Sequence, residues 1–174
     1  SGITLHVPSL DQIAVLEPRP ADPFAARTTR IAEVATFDPD RRSGRRIKVS
    51  GIVTLKIPGQ GFFLQDATGG IRVFTHQTNE VGWGDAVDVL GFAALGDLSP
   101  DLEESEFRVT GSGVSLIPTR TTAEQIVLHG TNDAQAVELE ARLLQSVPRS
   151  ANPELVLQDG PIIFTARLEA AVQD

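Results

Sequence analysis

The strictest constraint on this chain is a change of hydrophobic period at Ile47. From there Ile47, Val49, Gly51, Val53 and Leu55 fall on one side, and Lys48, Ser50, Ile52 and Thr54 on the other. That is the period of two expected of a strand with one buried face. The pattern returns after each turn. Pro58-Gly59-Gln60-Gly61 breaks it, and then Phe62 and Leu64 share a face opposite Phe63 and Gln65. Asp66-Ala67-Thr68-Gly69-Gly70 reads as a hairpin turn whose glycines accept positive φ. Ile71, Val73 and Thr75 then alternate with Arg72, Phe74 and His76. A connector from Thr78 to Trp83 leads to a fourth strand opened by Gly84-Asp85, with Val87 and Val89 inward and Asp88 outward, ending at Gly91. An acidic loop is expected from Asp97 to Glu106. A fifth strand follows at Phe107–Val109 and resumes beyond Gly111-Ser112-Gly113 through Val114, Leu116 and Ile117. Three meandering strands, a connector and two further strands predict an all-β fold built on a five-stranded Greek-key barrel of the OB type. Gly51 and Gly91 supply the bends that a small barrel needs. An open meander or small sandwich is the alternative.

The second half repeats the first. Thr28-Thr29 caps a short helix running from Arg30 to Thr36, and Thr121-Thr122 opens another from Ala123 to Leu128. Val137, Leu139, Ala141 and Leu143 match strand one. Leu155-Val156-Leu157-Gln158-Asp159 matches strand two, and Ile162, Phe164 and Ala166 match strand three. The Thr pairs and the Leu-Gln-Asp triplets are separated by the same 93 residues. Nothing in the second copy corresponds to Gly84–Ile117, so it reads as an incomplete OB-like repeat with unpaired edges. Pairing of Ile3, Leu5 and Val7 with it, docking on the first barrel, and a second molecule are the candidate covers. The expected organisation is an extended segment and Pro-rich linker over 1–27, a complete barrel over 28–119, and a truncated repeat over 120–174. Within the first part, Asp11–Leu16 allows a short helical turn, and Pro18, Pro20 and Pro23 make 17–26 an extended linker.

Composition narrows the function classes. The 174 residues contain no Cys, which removes disulfides, thiolate chemistry and Cys-based zinc sites. They contain no Met either, so the sequence is expected to be excised from a longer protein. No run of about 18 apolar residues and no signal peptide is visible. The formal net charge of −8 is opposite to what phosphate backbones attract, which disfavours nucleic acid as a partner.

No catalytic constellation stands out, and the chain is expected to be non-enzymatic and to need no cofactor. His6, His76 and His129 have no metal-ligand neighbours at helical spacing. There is no nucleophile elbow, zinc-protease helix or phosphate loop, and Gly59-Gln60-Gly61 is a turn without a following helix. The acidic residues Asp97, Asp101, Glu103, Glu104 and Glu106 lack the spacing of a calcium loop and read as a solvated edge. Trp83 is expected to pack at the barrel mouth, and Asp66 and Asp159 to cap hairpin turns. The binding candidate is the outward face of strands two and three, where Phe63, Gln65, Arg72, Phe74 and His76 project together. Two aromatics beside a cation and an amide suit a planar ligand. In the second copy Val156 and Thr165 stand at the two aromatic positions.

The string Val49-x-Gly51-x-Val53-Thr54, with Gly61-Phe62-Phe63-Leu64-Gln65-Asp66-x-Thr68-Gly69-Gly70-Ile71, resembles the extracytoplasmic sensor regions of some bacterial membrane-bound histidine kinases and diguanylate cyclases. The resemblance continues through Gly84-Asp85-x-Val87-x-Val89-x-Gly91-Phe92, Ser99-Pro100-x-Leu102-Glu103 and Gly111-x-Gly113, and covers about residues 28–170. It implies a sensor module of a signalling protein such as a two-component system. That module would lie on the periplasmic or extracellular side of an inner membrane, in a membrane-anchored parent. It would bind a small molecule, a polymer or a protein, and a homodimer is allowed. Similar Gly-Phe-Phe-Leu-Gln-Asp strands occur in OB domains appended to secreted bacterial nucleases. An accessory single-stranded nucleic-acid-binding domain is therefore the rival reading, and a purely structural spacer is the third.

Overall fold

A computed structural model of the chain describes residues 5–16, 18, 20–34, 45–148 and 152–169. Five strands close into a barrel: β1 (Ile47–Ile57), β2 (Gly61–Gln65), β3 (Gly70–Thr75), β4 (Ala86–Ala94) and β5 (Asp101–Gly111), in the order β1-β2-β3-β5-β4 and back to β1. β3 and β5 are parallel, and the other neighbours are antiparallel. This is the OB-like barrel that the strand pattern predicts.

Closure rests on β1, whose 11 residues serve two neighbours. Ile47–Ile52 pair with β4, and Ile52–Ile57 pair with β2 across a register shift between Val53 and Leu55. Gly51 sits at the bend, where a Cβ would lie 2.5 Å from the Gln65 carbonyl oxygen. The inward set is the expected one. Val49, Val53, Phe62, Leu64, Ile71, Val73, Val87 and Val89 are buried, joined by Leu102 and Phe107 from β5. Phe62 and Phe107 meet edge to face at 5.2 Å, an arrangement that aromatic quadrupoles favour. Leu55 is the exception. The bulge turns it outward, leaving it 41% exposed.

Two expectations about the fifth strand need correction. Asp101–Glu106 is strand rather than loop, and 114–117 is not strand. The cause is a second register shift, between Leu90 and Phe92, which puts Leu102, Ser105 and Phe107 inward at uneven spacing among carboxylates. An irregular strand with acidic outward positions does not show a period of two. The expected packing of Trp83 is also not found, since the residue is 59% exposed.

The part of the linker before the barrel is docked rather than extended. Pro23–Ala25 forms a 3-10 turn whose start is capped by the Asp22 carboxylate, accepting from the Phe24 N–H at 2.9 Å. Arg108 covers the Phe24 ring at 4.7 Å and pairs with Asp88 at 2.9 Å. Asp88 also accepts from Ser50 Oγ at 2.6 Å and faces Lys48 Nζ at 3.2 Å. Desolvation would raise the Asp88 pKa, but these donors outweigh it and hold it below the ordinary value. Leu10–Gln12 is a single 3-10 turn that overlaps only the start of the helical turn expected over Asp11–Leu16.

The second repeat reproduces the hairpin, the bulge and the helix contact of the first. It contains β6 (Thr119–Arg120), α2 (Ala123–His129), β7 (Val137–Glu138), β8 (Arg142–Val147), β9 (Glu154–Asp159) and β10 (Ile162–Arg167). β8, β9 and β10 form a three-stranded antiparallel sheet with β9 central. The bulge of β1 recurs in β8 between Leu143 and Gln145. The parallel contact of Thr28 with Lys48 recurs as the pairing of β6 with β7. Among the described residues no strand pairs with the far edge of β10. Leu5 and Val7 are exposed and form no strand, while Ile3 lies outside the described residues. The expected covering by this segment is therefore not seen in its described part.

The repeated Asp has a role beyond its own turn. Asp66 Oδ1 accepts from the backbone N–H and the hydroxyl of Thr68, both at 2.6 Å, and from the Gly69 N–H at 3.0 Å. Its Oδ2 accepts from the N–H of Ile31 at 3.0 Å, at the start of the short helix α1 (Ile31–Val34). Thr68 Oγ1 accepts the next N–H, that of Ala32. In the second repeat Asp159 Oδ2 accepts from Ala123 N at 2.9 Å. The helix before each repeat is thus capped by the hairpin after it. The expected Thr cap holds in α2, where Thr122 accepts from Gln125 N. In the first repeat Thr29 instead donates its N–H to the Lys48 carbonyl at 2.7 Å. The expected helical residues beyond Val34 lie outside the described residues.

Burial would raise the Asp66 pKa, but the bonds from Thr68, Ile31 and Gly69 outweigh it and hold the carboxyl below its ordinary value. Asp66→Ala is expected to cost about 1–2 kcal/mol of stability. Because the folded pKa is depressed, the stabilisation is complete above the unfolded value of about 3.9 and fades as pH falls through the folded one. Urea melts of both proteins at pH 7 and pH 3 test this. A gap that stays constant or widens in acid contradicts it.

Candidate binding face

Strands β2 and β3 place their side chains by alternation. With Phe62, Leu64, Ile71 and Val73 sealed in the core, Phe63, Arg72 and Phe74 must point out. Phe63 and Arg72 are direct cross-strand partners. The Arg72 guanidinium lies 4.4 Å from the Phe74 ring centroid and 5.9 Å from that of Phe63, and its Nη2 donates to Gln60 Oε1 at 2.6 Å. A cation over aromatic rings at these distances is held by the ring quadrupoles. Both rings are half-buried, neither sealed as a spacer requires nor fully bare.

The other two expected members are elsewhere. Gln65 is committed, because its Oε1 accepts from the Ala136 N–H at 2.8 Å. The same segment presses on Gly70, where a Cβ would sit 2.1 Å from the Ala134 carbonyl oxygen. Gln65 therefore fastens the second repeat's approach to the first barrel. The His76 side chain is 90% exposed, with Nε2 3.9 Å from Glu104 Oε1. It lines a cavity of about 400 Å³ at one end of the barrel, together with Lys56, Gln60, Gln77, Val81 and Phe107. Gln60 belongs to both places, since it borders the cavity and holds Arg72.

Sequence reasoning missed Gln60, which reads as turn, and Asp101, which reads as loop. Asp101 lies opposite Arg72 in the parallel β3–β5 register. Burial raises its pKa. Arg72 works against this, while Asp97, Glu103 and Asp133 add to the rise, so the net shift is upward. The cation of the face is thus bordered by carboxylates. Among the described residues no group of three or more His, Asp or Glu side chains is arranged to hold a metal ion.

In the second repeat the hairpin register puts Val156 at the position of Phe63, Thr165 at that of Arg72, and Arg167 at that of Phe74. This corrects the equivalence of Thr165 with an aromatic position. Arg167 there pairs with Glu154 at 3.4 Å, so the stacked arrangement is confined to the first repeat.

Comparison with known proteins returned no match, whether to a protein family, a curated protein or a solved structure.

A raised carboxyl pKa means that ionised Asp101 weakens the folded state. Its contribution is favourable below the unfolded value of about 3.9 and is lost as pH rises through the folded one. Asp101→Asn is therefore expected to melt at a higher temperature than the parent at pH 7, with the difference vanishing near pH 3. A destabilised variant at pH 7 would show that the Arg72 attraction outweighs burial.

Proposed function

We propose that the chain is a non-catalytic binding module, a sensor domain of a bacterial transmembrane signalling protein, whose first barrel carries the ligand face. The observation that carries this reading is the half-buried Phe63–Arg72–Phe74 cluster. It stands on the β2–β3 face where OB barrels take ligands, beside a polar-rimmed cavity reached through Gln60. The rings offer a planar partner a stacking surface, and Arg72 offers donors to an acceptor on its edge. The neighbouring carboxylates Asp97, Asp101 and Glu103 repel polyanions. The reading therefore favours a small planar ligand with one acceptor group over a nucleic-acid strand. The sensor assignment rests on the Gly-Phe-Phe-Leu-Gln-Asp resemblance and places the module on the periplasmic or extracellular side of an inner membrane.

Amide chemical-shift mapping against a set of small planar aromatic carboxylates and amides tests the ligand face. Shifts are expected to cluster at Gln60, Phe63, Arg72 and Phe74, and Arg72→Ala and Phe74→Ala are expected to weaken binding about tenfold or more. A set that leaves these amides unmoved rejects the site. Salt-sensitive binding of oligothymidylate on the same residues would favour the nuclease-appended alternative. A full-length gene lacking both a membrane-spanning segment and a signalling output domain would reject the sensor assignment.

A further inference from the structure

The two repeats share one framework, yet their interiors differ in one respect. The inward positions of β1–β3 that are sealed in the first are reached by solvent in the second, although Ala123 stays buried as Ile31 does. Val53 is fully buried, whereas Leu143, at the same place in the bulge, is 55% exposed. Phe62, Leu64 and Ile71 are buried, whereas Leu155, Leu157 and Phe164 are only partly so. Two strands make the difference. In the first barrel β4 pairs with Ile47–Ile52, and β5 runs parallel to β3. In the second, residues 139–141 form no strand where 49–51 are paired, and β10 has no further neighbour among the described residues.

The free edge of β10 can be read from its bonds. Leu168 N–H donates to the Pro153 carbonyl at 2.9 Å, as Thr75 N–H donates to Gln60 in the first repeat. Alternate residues face alternate sides of an antiparallel strand. The backbone groups of Ile163, Thr165 and Arg167 therefore point to the open edge, as those of Arg72 and Phe74 point to β5.

We propose that the open side of the second repeat is a strand-addition site for an amphipathic β-hairpin from polypeptide outside this sequence. The hairpin sits as β4–β5 sits on the first repeat, with one arm antiparallel to 137–142 and the other parallel to β10. Its inward residues are apolar, at positions equivalent to Val87, Val89, Leu102 and Phe107, and they seal Leu143, Leu155, Leu157 and Phe164. Main-chain bonds along β10 set its register, and alternate side chains set its fit. Among the described residues, two segments that could be considered for the role do not suit it. β4 and β5 are bound on both sides in their own barrel. Residues 5–16 contain Pro8 and the Leu10–Gln12 turn, which interrupt a strand. This inference is independent of the ligand face on the first barrel.

The test is amide exchange on the chain titrated with a synthetic peptide of its own residues 84–111, and on the chain with residues 76–111 appended after Asp174. Exchange at Ile163, Thr165, Arg167 and 139–142 is expected to slow at least about tenfold in either format. Thr165→Pro removes an edge-facing N–H at a position where an edge strand tolerates proline, and is expected to abolish that slowing while β8, β9 and the first barrel keep their protection. A peptide with Ser at positions 87, 89, 102 and 107 is expected to give none, which checks the site without altering the protein. Absence of slowing in both formats overturns the proposal. So does protection of β10 in the chain alone, with a dimeric mass pointing to a second copy and a monomeric mass to the N-terminal segment.

Discussion

A single strand that bends to serve two neighbours governs this molecule. β1 pairs with β4 along its first half and with β2 along its second, and the bulge after Val53 lets it turn between them while sending Leu55 outward. The second repeat shows what the arrangement depends on. It keeps the bulge, the hairpin and the helix contact. Without a β4 partner, the half-strand before the bend is strand only at Val137–Glu138. Residues 139–141, which have no such partner, belong to no sheet, as expected for β structure whose stability depends on its neighbours.

The legible part of the fold was the part with uninterrupted alternation. Phe62, Leu64, Ile71 and Val73 announce their burial because each flanking turn carries Gly and no bulge intervenes. β5 was hidden because its inward residues, Leu102, Ser105 and Phe107, are unevenly spaced and one is polar. Ser105 is buried with its hydroxyl donating to the Leu102 carbonyl at 3.2 Å, a bond that no periodicity announces. The cap on α1 was hidden for a different reason. Its acceptor lies 35 residues away, beyond the reach of a local capping pattern.

The candidate site divides along the same line. Alternation alone puts Phe63, Arg72 and Phe74 on one face. It also put Gln65 and His76 there, and tertiary contacts reassign both, Gln65 to the Ala136 backbone and His76 to the rim beside Glu104. Gln60 and Asp101 enter only when the turn and the neighbouring strand are seen in space. The resulting face combines stacking surface with a cation whose field is partly cancelled by nearby carboxylates. That balance fits recognition by shape and by directed hydrogen bonds better than attraction of charge from a distance.

The carboxylate clasp between hairpin and helix also fixes an order of assembly. A four-residue α1 and a seven-residue α2 are too short to nucleate alone, since a first helical turn is costly until tertiary contacts support it. Each takes its N-terminal partner from a hairpin that is formed 35 or 36 residues later in the chain. The bond that ties each helix N-terminus to its hairpin can therefore form only after that hairpin has been synthesised. In both repeats the start of the leading helix is held by a turn that lies well downstream in the chain.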